Sequence, residues 1–147
     1  DLPDNIRSRL TLENDEYTYS AAHIAEICLE AGIAMVFDVH HHVVREKLTR
    51  LDHPSIAAAV RLARSTWNPQ AWQLVHISSG KTGLYDAKHH ELILEFPPAF
   101  LSVGYVEVEA KTKEIAIENL QAKLEGREST VSPELLLGET LKTEAKI

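Results

Sequence analysis

Residues Ile33 to Phe37 (IAMVF) form an unbroken apolar run that stops on Asp38. A strand buried on both faces reads this way, and such strands belong to parallel sheets covered by helices. The flanking pattern agrees. Ser20 predicts the cap of a helix reaching about Ala31, with Ile24, Ile27 and Cys28 as one apolar stripe, and Gly32 stops it. Pro54 opens a second helix at its first turn, carried by Ile56, Ala57, Val60 and Leu62 to about Ser65. Ser8 to Glu13 alternates into a first strand, Trp72 to Ile77 reads as a third buried strand, and Val103 to Val108 as a fourth. Lys111 to Leu124 predicts a further helix, with Ile115, Ala116, Ile117 and Leu120 spaced for packing. Leu92 to Phe96 fits a short helix or a short strand, and Pro97-Pro98 breaks it.

Strands alternating with helices at this spacing predict an α/β fold, a parallel sheet built from right-handed crossovers. Four such units make half of an eight-stranded barrel, or a small open sheet. A closed (β/α)8 TIM barrel usually needs roughly 250 residues, and the chain has 147. After Gly126 the sequence turns polar, so 127–147 is expected to be an appended tail.

Composition excludes little. With 44% apolar and 25% charged residues, the chain is an ordinary globular one. It starts at Asp1 rather than Met, with no signal-like segment, and no apolar run approaches the ~20 residues of a membrane span. The lone cysteine, Cys28, forms no intrachain disulfide and suits a cytoplasmic setting. A net charge of −7 argues against a sequence-tolerant nucleic-acid binder, which normally shows a basic face. Bound divalent cations, or basic surface supplied by further chain, would relieve that objection.

Parallel α/β proteins place their sites at the carboxyl ends of the strands. Here those ends read Glu13, Asp38 (followed by His40, His41 and His42), His76 and Glu109. Each lies at or just past an apolar run, where an ionised group is costly unless paired or metal-bound. Singly, each has an ordinary explanation: a cap or ion pair for Glu13, a helix cap for Asp38, a hydrogen-bonded core imidazole for His76, a lysine partner for Glu109. Jointly they suggest a site. Asp38-x-x-His41 puts a carboxylate and an imidazole close enough to share a cation, and His89 in KHHE supplies another imidazole. Carboxylates with imidazoles suit Mn²⁺ or Zn²⁺, whereas structural zinc usually takes thiolates. The internal triple histidine reads as native because a buried strand precedes it. No glycine-rich phosphate loop is present: SSGKTG does not match the required spacing. Tyr17, Tyr19 and Trp72 are expected to pack rather than to meet a ligand.

Taken in order, LTLENDE, FDVHHH, VHIS, KHHE and VEVEAKTKEIAI resemble the C-terminal half of the UV damage endonuclease family, over about residues 7–124. The resemblance implies that 1–126 is the C-terminal half of a TIM-barrel domain. It implies an endonuclease that nicks damaged double-stranded DNA on the 5′ side of pyrimidine dimers and 6–4 photoproducts. It implies two or three divalent ions, Mn²⁺ foremost with Zn²⁺ or Mg²⁺ as alternatives, held by Glu13, Asp38, His41, His76, His89 and Glu109. Leu74 departs from the pattern, because several family members carry there a modified lysine that bridges metals. The remaining ligands implied lie in an N-terminal half, so these 147 residues alone are expected to be inactive or nearly so. Two other readings share the same residues: a metal-dependent sugar isomerase or epimerase on a similar barrel, and a non-catalytic half-barrel that binds a partner.

Overall fold

The computed structural model describes residues 3–128. Its four strands are β1 (Thr11–Glu13), β2 (Ala34–Asp38), β3 (Leu74–Ile77) and β4 (Tyr105–Val108). They form one parallel sheet in the order β1-β2-β3-β4, each strand beside its neighbour in sequence. The α/β expectation holds. Five helices accompany them: α1 (Asp4–Arg7), α2 (Ala21–Ala31), α3 (Val39–Glu46), α4 (Pro54–Arg64) and α5 (Glu114–Leu124).

Local chemistry sets the helix ends. The Ser20 hydroxyl accepts the His23 N–H at 3.3 Å to start α2, and Gly32 ends it in the left-handed region at φ 66°. Pro54 occupies the first turn of α4, where a missing N–H costs nothing. The α5 helix begins three residues later than its periodicity predicts. Thr112 is tied to the Glu91 carbonyl through its hydroxyl, at 2.6 Å, and Lys113 takes a positive φ of 48°. The preceding turn is thereby held out of the helix.

Strand alternation sorts the sheet into two faces. Leu12, Met35, Phe37, Val75, Ile77, Val106 and Val108 join the hydrophobic core with Ile24, Cys28, Ile56, Val60 and Phe100. The ring of Phe37 meets Phe100 edge-on at 6.4 Å. On the opposite face, by the same alternation, stand Glu13, Val36, Asp38, Leu74, His76 and Glu107. The acids and the imidazole cluster at its carboxyl end. A one-residue slip of any strand would exchange the two sets.

Several expectations fail in detail. Trp72 lies in a 3-10 turn (Gln70–Trp72) before β3 and is 61% exposed, since pairing starts only at Leu74. Ile27, Ile115, Ile117 and Leu62 are also exposed; α5 faces inward through Ala116, Asn119, Leu120 and Ala122 instead. Small residues let that helix approach closely. Leu92 to Phe96 forms neither helix nor strand, although Leu92 and Ile93 are fully buried. Tyr17 and Tyr19 are exposed rather than packed. The expected tail lies mostly outside the described residues, which reach only Glu128 of 127–147.

Candidate metal centre

Register builds the site. Glu13 pairs with Val36, Asp38 with His76, and His76 with Glu107. Asp38, His76 and Glu107 therefore stand in a row across three strands. The ladder continues past β4, where the Glu109 N–H donates to the Ile77 carbonyl at 2.8 Å. That bond delivers Glu109 to the same rim.

Asp38 is the hub. It is the last residue of β2 and also the N-cap of α3, its Oδ1 accepting the His41 N–H at 2.8 Å. Its Oδ2 is buried and makes no hydrogen bond. Two groups of ligand-type atoms, all within 4.8 Å of one another in each, share it: Glu13, Asp38 and His41, and Asp38, His76 and Glu109. Glu13 Oε1 lies 3.4 Å from His41 Nδ1 and 3.3 Å from His76 Nδ1. Glu109 Oε1 also lies 3.3 Å from His76 Nδ1, yet that nitrogen is buried without a hydrogen-bond partner.

Charge follows geometry. Burial, with the neighbouring Glu13 and Glu109 carboxylates, pushes Asp38 up to about 6 despite the opposing pull of His41. Burial also opposes ionisation of Glu13, but contact with His76 and the charges of His76 and His41 hold it below the usual carboxylate range. Burial pulls His41 and His76 down; the carboxylates around them outweigh it and raise both. The site is thus an acid-rich cluster with two basic imidazoles and two buried atoms lacking partners. Such a donor set, oxygen with nitrogen and no thiolate, fits a borderline or hard divalent ion. The orphaned Asp38 Oδ2 and His76 Nδ1 are where a cation would relieve the cost of burial.

Five of the six residues expected from the sequence converge here. His89 does not join either group. It sits on the segment after β3, its ring edge-on to His40 at 5.4 Å. The neighbouring imidazoles have other partners: His40 Nε2–H donates to the Asp86 carbonyl at 2.9 Å, and His42 Nε2 meets Ser55 Oγ at 3.0 Å. Burial lowers the pKa of both.

The family model for UV-endonuclease UvdE matches residues 1–134. The chain belongs to the UvdE family. A UV DNA damage endonuclease of Nostoc sp. is 51% identical over 121 residues, which cover 82% of this chain and 38% of that protein. One of Deinococcus radiodurans is 50% identical, covering 82% and 40%. A UV-damage endonuclease of Schizosaccharomyces pombe is 28% identical, covering 84% and 22%. The solved structure titled "Crystal Structure of SacUVDE" superposes with a TM-score of 0.62 at 30% identity, over 78% of this chain and 39% of that one. This UvdE-family chain thus spans about two fifths of the length of the first two relatives.

Three residues of the cluster escape sequence reasoning. Glu107 Oε2 stands 3.4 Å from His76 Nε2, and Glu16 Oε2 stands 3.7 Å from His41 Nε2. Asn14 is 1% exposed and bonds to both main-chain groups of Asp38. The signal for Glu107 was available: it lies two residues before Glu109, hence on the same face of the strand. Glu16 and Asn14 flank the β1 end in ENDE, where spacing alone does not tell a turn residue from a site residue.

Proposed function

We propose that this chain supplies the C-terminal half of a (β/α)8 barrel in a metal-dependent DNA repair endonuclease, which nicks 5′ to UV photoproducts. The observation that carries it is the meeting of Glu13, Asp38, His41, His76 and Glu109 at one carboxyl rim of a parallel sheet, around two unpartnered buried atoms. Relatives named UV DNA damage endonuclease favour this reading over a sugar isomerase. So does family membership over a non-catalytic half-barrel.

In this reading Glu13, Asp38, His41, His76 and Glu109 would hold Mn²⁺, and the resemblance adds His89 to that set. Divalent ions held there supply Lewis acidity at the scissile phosphodiester. The chain's own residues do the rest. Asp38 must lose its proton to bind, and His41 and His76 each present one ring nitrogen. Leu74, two residues before His76 on the same face, leaves the centre without the bridging lysine implied by the resemblance, so we infer fewer shared ligands between ions. Among the described residues β1 and β4 each pair on one side only, and an N-terminal half would close both edges. Damaged double-stranded DNA is the proposed partner, and the lone buried cysteine suits a cytoplasmic setting. No helix of the described residues is long and apolar enough to cross a membrane.

A plasmid-nicking assay tests this. UV-irradiated plasmid with Mn²⁺ should be cut by a full-length relative and hardly at all by these 147 residues. Efficient nicking by the chain alone would refute the half-barrel reading. Failure of the chain to take up Mn²⁺ would refute the metal reading.

A further inference from the structure

The β1–β2 pairing ends at Glu13, because the chain then turns away. Asp15 organises that turn, its carboxylate accepting the N–H groups of Tyr17, Thr18 and Tyr19. On its β1 side the end of β2 is then left without main-chain pairing. The Asn14 side chain takes its place: Nδ2–H donates to the Asp38 carbonyl at 2.9 Å, and Oδ1 accepts the Asp38 N–H at 3.0 Å. Both bonds are buried. Meanwhile the Asn14 carbonyl lies 2.8 Å from His41 Nδ1. A carbonyl only accepts, so Nδ1 carries the proton and Nε2 is left with its lone pair.

We propose that Asn14 is a positioning residue of the metal centre: its carboxamide fixes the backbone of Asp38, and its carbonyl selects Nε2 as the nitrogen His41 presents. The inference rests on the metal reading above. A side chain with one donor and one acceptor at this reach is needed, which aspartate (no donor) and leucine (neither) do not supply. The fixed Asp38 backbone in turn aims Oδ1 at the His41 N–H and leaves Oδ2 facing the cluster. Partners that orient ligands in this way typically carry about 10- to 100-fold in metal affinity.

The test uses Asn14→Ala and Asn14→Ser in the 147-residue chain, with Cys28→Ala as a buried control remote from the rim. Long-range ¹⁵N NMR of the imidazoles, at alkaline pH without metal, reads the tautomer of His41; calorimetric titration with Mn²⁺ reads affinity. Wild type and Cys28→Ala should show His41 protonated on Nδ1. Both Asn14 variants retain the main-chain carbonyl and should keep that tautomer, but without the carboxamide bonds to Asp38 they should bind Mn²⁺ about 10- to 100-fold more weakly. Should Asn14→Ala fail to fold, Asn14→Ser carries the comparison. A wild-type His41 protonated on Nε2, or an affinity loss equally large in Cys28→Ala, overturns the inference. Wild-type protein that takes up no Mn²⁺ defeats the metal reading and this inference together; wild-type uptake with unchanged Asn14 variants defeats the inference alone.

Discussion

The two acid–imidazole groups share Asp38 but differ in what holds them. The first, Glu13 with Asp38 and His41, is set by hydrogen bonds inside the protein: the Asn14 carboxamide, the Asn14 carbonyl and the cap on α3. The second, Asp38 with His76 and Glu109, is set by strand register and by contacts between charges. Its outer support, Glu107, is 58% exposed on a strand whose far edge is unpaired among the described residues. A buried hydrogen bond fixes an atom to tenths of an ångström, whereas an exposed ion pair is screened and contributes little. The first group is preorganised by this chain. The second is held less tightly.

The largest effect should come from the atom both groups share. Asp38→Asn keeps a helix-capping oxygen but removes the charge, so Mn²⁺ uptake should vanish at both groups. The same change should stabilise the metal-free fold by about 1–3 kcal/mol, since a buried carboxylate with a raised pKa is costly to ionise. Urea denaturation without metal checks it. A less stable Asp38→Asn protein would mean that the charge serves the fold.

Next is pH. Asp38 titrates at about 6 when folded, above its value of 3.8 in an unfolded chain, so folding gains as pH falls through 6. His41 and His76 are raised above 6.5, so their contribution is full below that value and lost as pH rises through their folded pKa. Glu13, lowered from 4.5, acts oppositely in more acidic solution, and His40 and His42, lowered by burial, act oppositely as pH falls through 6.5. With the three raised groups of the cluster outweighing the two lowered imidazoles, the metal-free chain should melt at higher temperature at pH 5.5 than at pH 7.5. Saturating Mn²⁺ should reverse the order, because protons and ions compete for the same atoms. Thermal scans at the two values, with and without Mn²⁺, decide it; the same order in both would separate titration from metal binding.

The smallest effect separates the groups. Glu107→Gln should lower Mn²⁺ affinity by no more than about 10-fold, the low end for a ligand's supporting partner, because its contact with His76 is solvent-exposed. It should leave the His41 tautomer unchanged. Calorimetry with the same NMR measurement reads both, and a shifted His41 would show that the groups are coupled beyond Asp38.

The sequence showed most clearly what burial writes in apolar letters. β2 was legible because Met35, Val36 and Phe37 are covered on both faces, and α2 because Ser20 and Gly32 punctuate it. The carboxyl-end residues were legible because a charge after such a run has to be accounted for. Ile27, Ile115 and Ile117 misled, because hydrophobicity does not say which of several apolar residues a helix turns inward. Trp72 misled for the same reason at the start of β3. Asn14 was hidden by the kind of work it does: a polar residue in a turn motif looks the same whether its side chain meets water or a backbone. His89 stands apart because its position depends on a long irregular segment after β3, where no period constrains the path.

The strands lie side by side in the order in which they are made. On a ribosome, β1, β2 and α3 emerge before β3 and β4, and every residue of the Glu13–Asp38–His41 group is present once residue 46 has been added. The second group has to wait for Glu109, more than sixty residues later. A nascent chain would thus hold half of the acid–imidazole cluster well before its sheet is complete.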